Sequence, residues 1–219
     1  MNMWTTSAPI LLLGSGPVSK ENIELSNTYT SSIVAVDGGA RHVAQVGRPC
    51  EFVIGDMDSI VQFDLKNMES VPQKRVLDQE TTDFEKALGH ICAPMILGLG
   101  FLGWRLDHTL AAMTALATFP HQRCVLLGEE DVVFLLPEAF EIDLPLGVRI
   151  SLFPMGPSRA RSCGLKWALN GKCFAPDAKI ATSNEVSGPV SIGLETGNFV
   201  VMVPKRHLAA VWSALTPAF

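Results

Sequence analysis

The sequence is poor in charged and aromatic side chains and has no excess of basic residues. Charged residues make up 18% of its 219 residues and aromatic residues 7%. Lys and Arg together number 17 and Asp and Glu 22, which leaves a net charge of −5. This balance excludes a general nucleic-acid-binding protein, because such a protein needs a basic surface to displace counterions. Hydrophobic residues reach 47%, enough for a core without metal or disulfide support.

Long apolar runs and paired cysteines are also missing. No run approaches the ~18 apolar residues of a membrane-spanning helix, so no membrane partner is expected. The first basic residue is Lys20, and the apolar stretch before it lacks the basic flank of a signal peptide. The five cysteines form no CxxC pair. We therefore predict buried thiols in a reducing cytoplasm rather than a disulfide framework or a zinc site.

The first half of the chain alternates short apolar runs with helical patterns. Thr82 and Glu85 have the spacing of a capping box, which predicts a helix start. Repeated alternation predicts βαβ units and a mostly parallel, Rossmann-like sheet in an α/β domain of residues 1–122. The expected strands are 9–13, 33–36, 52–54, 74–77 and 95–99, and the expected helices are 40–46, 82–91 and 107–119.

The second half consists of short β-rich runs separated by Gly and Pro. Residues 195–198 are predicted to form a hairpin turn, and a helical period returns only in the last dozen residues. This pattern predicts an all-β sandwich domain of residues 123–219. The expected strands are 124–127, 132–136, 140–144, 148–153, 190–194 and 199–203.

Aspartates follow or precede the predicted elements of the first half at one end of the sheet. Asp37, Asp56 and Asp58 come directly after strands, and Asp83 and Asp107 begin helices. Ligands of open parallel sheets bind at the carboxyl ends of the strands. Side chains two residues apart in an extended chain point to the same side, so the carboxylates of Asp56 and Asp58 are expected to face the same way. Clustered carboxylates repel one another unless a cation such as Mg²⁺ lies between them, so the pattern predicts a magnesium site.

Structural interpretations of the same residues stay open. Asp83 and Asp107 occupy positions of helix caps and first-turn acids, and Asp37 could belong to a simple turn. Lys86 and Arg105 could neutralise phosphate or lie in solvent. The histidines form no metal cluster, and those at positions 42 and 90 are expected on helix surfaces.

A dinucleotide site is a further alternative. Gly14, Ser15 and Gly16 begin a GxGxxG fingerprint, and Asp37 lies where a ribose-binding acid would, but Ser19 occupies the third glycine position. The P-loop pattern and the GxSxG elbow are both absent from the sequence.

Six segments, taken in order, resemble the thiamine pyrophosphokinase family. They cover both halves of the chain, and their combination is far more specific than any one of them. The segments are VDGGA at 36–40, IGDMDS at 54–59, DQETTDFEKA at 78–87, GFLGWRLDH at 100–108, GLKW at 164–167 and TSNE at 182–185.

The resemblance implies a two-domain enzyme that transfers the pyrophosphoryl group of ATP to the hydroxyl of thiamine and releases AMP. An α/β domain would bind the nucleotide and a β-sandwich domain the thiamine. The family works as a homodimer, with thiamine between domains of different subunits. A related pyrophosphokinase acting on another hydroxymethyl heterocycle, such as a pterin, and a non-catalytic nucleotide or thiamine sensor are the rival hypotheses.

Roles carry over from the family by motif. Asp56, Asp58 and Asp83 would bind Mg²⁺ and the ATP phosphates. Gln79 and Asp107 would lie beside the phosphates and thiamine. Asp83 or Asp107 would accept the hydroxyl proton, unless it passes to phosphate or water. The remaining positions of the nucleotide side are Asp37, Gly38, Lys86 and Arg105, and those of the thiamine pocket are Trp167, Ser183 and Asn184.

Three positions depart from the family pattern. Met57 replaces the usual Phe between two aspartates, an exchange of one apolar residue for another. Trp104 replaces a common Gly before Arg105 and removes backbone freedom from that loop. Ala112 replaces a usual Asn in the helix after Asp107, which puts nucleotide affinity in question more than reaction type.

Overall fold

The computed structural model describes residues 3–58 and 70–216. The chain divides into two compact units. The first unit comprises Met1–Ala115 with Leu126–Glu129, and the second comprises Leu116–Val125 with Glu130–Phe219. Ser59, the last residue of the IGDMDS segment, lies outside the described residues. Within the described ranges, no helix has the length and apolar character required to cross a membrane.

Short strands alternate with helices in the first unit. Strands β7, β2, β3, β4 and β5 pair in that order, each parallel to the next, and β1 pairs with β6. The strands are β1 Trp4–Thr5, β2 Ile10–Leu13, β3 Ser32–Val36, β4 Cys50–Gly55, β5 Gln73–Arg75, β6 Ile91–Cys92 and β7 Ile96–Leu99. The helices are α1 Lys20–Ser26, α2 Val43–Val46, α3 Asp83–His90 and α4 Leu106–Thr118, with a 3₁₀ turn at Asp37–His42 before α2.

Continuous apolar runs and local caps explain these elements. All four residues of β2 are buried, as expected of a central parallel strand covered on both faces. The capping box of α3 is confirmed: Glu85 N donates to Thr82 Oγ1 over 3.3 Å, and Thr82 N donates to a Glu85 carboxylate oxygen over 2.9 Å. Ser19 caps α1, a helix that the sequence patterns did not predict, by accepting from Asn22 N over 3.3 Å.

The second unit is built mainly from antiparallel strands. Strand β14 lies between β9 and β11, and β13 pairs with β10, β11 and β12. The elements are β9 Asp131–Leu135, β10 Ala139–Ile142, β11 Arg149–Pro154, β12 Arg159–Leu165, β13 Ala181–Thr196, β14 Phe199–Pro204, a 3₁₀ turn at Lys205–His207 and α5 Leu208–Leu215. The division between the units falls within β8, Cys124–Leu127: Cys124 and Val125 belong to the second unit, and Leu126 and Leu127 to the first.

The predicted hairpin at residues 195–198 is wrong, because β11 lies between β13 and β14. The turn is instead attached to the loop after β11. Asn198 N donates to Ser158 Oγ over 3.1 Å, and a Cβ on Gly197 would lie 2.4 Å from Pro157 O. Adjacent strands in sequence predict direct pairing only when no other strand takes the intervening position.

Two predictions of burial are also wrong. All five thiols are free, as expected, but Cys92, Cys163 and Cys173 are exposed and only Cys50 and Cys124 are buried. His42 is not on a helix surface, since it is 8% exposed. Sequence position alone gives no measure of which loops cover a side chain.

Gly39 allows the 3₁₀ turn after β3 to pass directly over the end of β2. A Cβ at this position would lie 1.9 Å from Leu13 O, closer than any real contact. Gly47 provides the contrast, because its φ is +69° but no atom lies within 4 Å of a Cβ built there.

We expect Gly39→Ala to lower the free energy of unfolding by about 3 kcal/mol, the upper end of the usual cost of overpacking. Gly47→Ala should cost about 1 kcal/mol, since only the left-handed backbone opposes it. Urea denaturation of both variants measures the difference. Equal losses for the two variants would show that the contact with Leu13 O is not the constraint.

Candidate active site

Three carboxylates meet at the carboxyl ends of β3 and β4. Each of Asp37, Asp56 and Asp58 offers an oxygen, and the three oxygens lie within 4.8 Å of one another. Asp37 begins the 3₁₀ turn after β3, and Asp56 directly follows β4. The spacing and the all-oxygen donor set suit a hard divalent cation such as Mg²⁺.

Asp37 is held in an unusual conformation. Its φ is +43°, in the left-handed region that non-glycine residues rarely adopt. The residue is 3% exposed, and its Oδ1 is buried without a hydrogen-bond partner. Gly55 provides the space, since a Cβ there would lie 2.7 Å from the Asp37 Cβ. A strained residue with an unsatisfied buried oxygen is typical of a ligand site.

The segment from Asp56 to Asp58 forms a turn, whereas the sequence pattern predicts extended chain here. Met57 between them has φ +68°, and the chain bends at Met57 and Asp58. Asp58 N donates to Asp56 Oδ1 over 3.2 Å, and Arg75 Nε donates to Asp56 O over 2.9 Å. The two carboxylates do lie close together, but a left-handed turn brings them there instead of strand alternation.

Lys86 of α3 is a buried cation between two carboxylates. Its ammonium lies 3.1 Å from Asp56 Oδ2 and 3.0 Å from Asp83 Oδ1, and its side chain is 3% exposed. Burial alone would lower the pKa of Lys86, but the hydrogen bonds to Asp83 and Asp56 outweigh burial and raise it. Lys86 is therefore charged and is not a solvated helix residue.

The same contacts act differently on the two acids. Burial opposes ionisation of Asp56, yet the hydrogen bonds from Lys86 and Asp58 N outweigh it and lower the pKa of Asp56. For Asp83, burial is the largest effect, and it raises the pKa despite the hydrogen bond from Lys86. Neighbouring charges on Asp56 and Asp37 raise it further. Asp83 is thus the acid whose proton affinity is increased.

A cavity of about 380 Å³ opens beside this group within the first unit. Asp37 and Asp83 both line it, so the acidic group adjoins the cavity through Asp37. The glycine turn, residues Gly14, Ser15 and Gly16 after β2, forms another wall. The lining residues are Gly14, Ser15, Gly16, Val36, Asp37, Thr82, Asp83, Phe84, Gly100, Phe101, Gly103, Trp104, Arg105, His108, Ala111 and Ala112.

The glycine turn is held from outside the cavity by the 3₁₀ turn. His42 Nε2 lies 3.0 Å from Gly16 O, and an Arg41 Nη donates to Ser15 O. Gly16 N donates to Gly100 O over 2.8 Å. These bonds fix the loop through its carbonyl groups, and the burial of His42 follows from this contact.

Arg105 and Asp107 form an exposed ion pair at the start of α4. Arg105 Nη2 lies 2.6 Å from Asp107 Oδ2, and each side chain is 65% exposed. The hydrogen bond from Arg105 lowers the pKa of Asp107 to about 2. Asp107 is therefore a much weaker base than Asp83. Arg105 lines the cavity, whereas Asp107 is not among the lining residues.

The other candidate residues of the nucleotide side lie in different surroundings. Gly38 is buried in the 3₁₀ turn, and Gln79 is exposed in the loop before α3. Trp104 lines the cavity with φ +43° and an 86% exposed side chain, so this departure from the family pattern adds an aromatic surface there. Ala112 is buried and also lines the cavity.

The candidate thiamine residues lie in the second unit. Trp167 is 53% exposed, which argues against a role in the β core. Asn184 is 3% exposed, and its side chain hydrogen-bonds the backbone of Trp167. Ser183 is exposed with φ +58°, and its N donates to Ser151 Oγ over 2.9 Å.

Sequence reasoning missed several contributors to the site. Arg75 of β5 donates to the Asp56 backbone, and Phe84 packs against Phe101 in a tilted arrangement with ring centroids 4.3 Å apart. His108, which lines the cavity, is not one of them, because the sequence already places it beside Asp107 among the acids. No local signal marks Arg75, since its role follows from the pairing of β5 with β4. The GxG of Gly14 to Gly16 is a usable signal for the cavity, although as a sequence pattern it points to a dinucleotide site.

Two family models match the chain. The model described as thiamin pyrophosphokinase, catalytic domain, matches residues 24–127. The model described as thiamin pyrophosphokinase, vitamin B1 binding domain, matches residues 139–198. The two matches lie in chain order and together cover most of the sequence.

Curated relatives and solved structures agree with these matches. Thiamine pyrophosphokinase 2 of Oryza sativa subsp. japonica is 34% identical over 62% of this chain, and the match spans 58% of the relative. The thiamin pyrophosphokinase structure from Candida albicans has a TM-score of 0.73 at 18% identity and covers 93% of this chain and 92% of that one. For the enzyme from Geobacillus thermodenitrificans the TM-score is 0.74 at 19% identity, covering 90% and 97%.

The solved structures show that this chain has the same two-domain fold, and the family models show that its sequence matches both domains. The chain spans a little over half the length of the curated relatives that it matches. Since both family models match in order and the fold agrees, the chain belongs to the thiamin pyrophosphokinase family.

Proposed function

We propose that the protein is a thiamine pyrophosphokinase, which transfers the pyrophosphoryl group of ATP to thiamine and releases AMP. The observation that carries the proposal is the position of Asp37. The Asp37 carboxylate belongs to the acidic group with Asp56 and Asp58, and the residue also lines the cavity. A phosphate chain in the cavity would therefore meet a cation held by these acids.

Mg²⁺ is proposed as the metal. The unpartnered buried Oδ1 of Asp37 and the close oxygens of Asp56 and Asp58 fit such an ion, with Asp37 as third ligand and Asp83 beside the group. When bound, the ion would supply positive charge against the phosphate oxygens. Arg105 lines the cavity and would add a second positive charge there.

In the proposed reaction the thiamine hydroxyl oxygen attacks the β-phosphorus of ATP. A new O–P bond forms, the bond to the oxygen bridging the α and β phosphorus atoms breaks, and AMP leaves with that electron pair. Asp83 is the better acceptor for the hydroxyl proton, because burial raises its pKa. Asp107 remains unprotonated to much lower pH, since its pKa is about 2.

The domain roles complete the proposal. Residues 1–122 would form the nucleotide domain with a Rossmann-like sheet, and residues 123–219 a sandwich domain that binds thiamine. Trp167 would contact the cationic, aromatic thiamine through its exposed indole. Ser183 would lie in the same pocket, while Gln79 and Gly38 would belong to the nucleotide side. A cytoplasmic homodimer with active sites shared between subunits is part of this proposal.

The direct experiment is a product assay with purified protein, ATP, Mg²⁺ and thiamine that resolves AMP from ADP. We expect thiamine-dependent AMP and thiamine diphosphate in equal amounts. Asp58→Asn, which removes one charge from the acidic group, should fold normally and lose at least about a hundredfold in turnover. Formation of ADP and thiamine monophosphate would contradict the proposal. Turnover with a hydroxymethyl pterin and none with thiamine would instead support the rival hypothesis of a pterin pyrophosphokinase.

Lys86 should be the main electrostatic contributor to stability at the site. We expect Lys86→Met to lower the free energy of unfolding by about 3–5 kcal/mol, because two carboxylates lose a buried cation. Lys20→Met removes an exposed partner of Glu24 and should cost less than about 0.5 kcal/mol. Urea denaturation measures both losses. A small loss for both variants would contradict the conclusion that a charged Lys86 stabilises the two carboxylates.

The difference between wild type and Lys86→Met should depend on pH in a defined way. The contribution of Asp56 is present above its ordinary pKa of 3.8 and is lost as pH falls through the lowered value. The contribution of Lys86 is present below 10.5 and is lost as pH rises through the raised value. The stability difference should therefore be largest near neutral pH and shrink in acid below pH 3.8.

The pH dependence of turnover distinguishes the two candidate bases. If Asp83 accepts the proton, kcat falls in acid through a group whose pKa lies above 3.8. Asp107→Asn should reduce the rate but leave this midpoint in place, because the titrating group is unchanged. A midpoint that disappears in Asp107→Asn and persists in Asp83→Asn would assign the base to Asp107.

A further inference from the structure

The side-chain amide of Asn184 is occupied by the backbone of Trp167. Asn184 Nδ2 donates to Trp167 O over 2.8 Å, and Trp167 N donates to Asn184 Oδ1 over 3.1 Å. Glu185 N donates to the same Oδ1 over 2.9 Å. An Asn side chain can form four hydrogen bonds, and both acceptor positions of this one are filled. With Asn184 only 3% exposed, little of the amide remains to contact a ligand.

The Asn184 side chain continues the hydrogen bonding between β12 and β13 beyond the last pair of backbone groups. Leu165 of β12 pairs with Val186 of β13, and Lys166 N donates to Glu185 O over 2.9 Å. At the next step the Asn184 side chain takes the place of a backbone partner for Trp167. The left-handed φ of +58° at Ser183 turns the backbone of β13 at this position.

The result is a fixed backbone beneath an exposed indole. Trp167 remains 53% exposed although both of its backbone polar groups are bound by Asn184. The Lys166 ammonium lies 5.0 Å from the indole centroid, and it also lies 3.0 Å from a carboxylate oxygen of Glu185. A large aromatic side chain held in this way presents a contact surface at low entropic cost.

We propose that Asn184 is a positioning residue, which holds the Trp167 indole for the aromatic, cationic substrate and does not read that substrate directly. This rests on the proposed function, because thiamine is the ligand that the indole would contact. It revises the role that the family resemblance gives to Asn184, from a substrate contact to a support for one.

A double-mutant cycle tests the proposal. Trp167→Ala and Asn184→Ala should each raise the thiamine KM by about tenfold, the loss of a partly desolvated aromatic contact. Neither should change kcat at saturating thiamine or the KM for ATP. The double variant should bind thiamine no worse than Trp167→Ala alone, because Asn184 acts through the indole. If the two effects multiply, so that the double variant raises the thiamine KM by about a hundredfold, the proposal is overturned and Asn184 is a direct contact.

Asn170 provides the matched control. Its Oδ1 accepts from Ser162 N over 2.7 Å, so it is another side-chain amide that hydrogen-bonds the backbone of the same unit. Asn170→Ala should leave the thiamine KM unchanged. If Asn184→Ala does not fold, Asn184→Asp replaces it in the cycle, because it retains the Oδ1 acceptor and loses the Nδ2 donor.

A spectroscopic measurement separates this inference from the proposed function. The indole N–H resonance of Trp167 is assigned by its absence from the Trp167→Ala spectrum. Asn184→Ala should shift or broaden this resonance in the ligand-free protein, and Asn170→Ala should not. An unchanged resonance would overturn the positioning role. A wild-type protein without thiamine turnover would instead refute the proposed function and leave the resonance result standing.

Discussion

The buried ammonium of Lys86 allows acidic side chains to gather where the parallel strands end. Carboxylates brought this close raise one another's proton affinity, and burial adds to the cost of ionisation. Lys86 contacts both Asp56 and Asp83 from inside α3, and so lowers that cost for two of them. The carboxylates of Asp37, Asp56 and Asp58 still lie within 4.8 Å of one another, an arrangement that would favour the proposed divalent cation.

Backbone strain at this edge is tolerated because packed neighbours leave the chain no alternative. Asp37 and Met57 both have positive φ, at a typical cost of about 1–3 kcal/mol each. Gly55 and Gly39 lack the Cβ atoms that would prevent the close approach of the turns. The buried strands β3 and β4 then fix where each turn begins. Strain of this kind persists at sites where side-chain position matters more than local stability.

The two units contribute different chemistry. Charge and a cavity characterise the first unit, and its carboxylates differ in proton affinity. Burial raises the pKa of Asp83, while Arg105 lowers that of Asp107 to about 2. The second unit offers an exposed aromatic residue on a backbone held by Asn184. Positioning of this kind would suit the proposed transfer of a pyrophosphoryl group, which depends more on orientation and charge than on covalent catalysis.

Local sequence patterns determined a large part of this protein. Apolar runs located β2, β3, β4 and β7 of the first unit, and Thr82 with Glu85 marked the start of α3, since capping depends on residues three apart. The predicted strand 74–77 overlaps β5, Gln73–Arg75, at two residues only. The aspartates at strand ends followed from the same pattern. What the pattern did not contain was the long-range arrangement, such as the burial of Lys86 and the contact of Arg75 with Asp56.

Only the tertiary structure decided which neighbours meet. Strand β11 separates β13 from β14, so adjacency in sequence did not produce a hairpin. Asn184 serves Trp167 across 17 residues of chain, and Lys86 reaches Asp56 across 30. Periodicity and caps are set by residues within one or two turns of each other, and the sequence shows them directly. Burial, ion pairing and proton affinity depend on segments far apart in the chain, and folding alone brings these together.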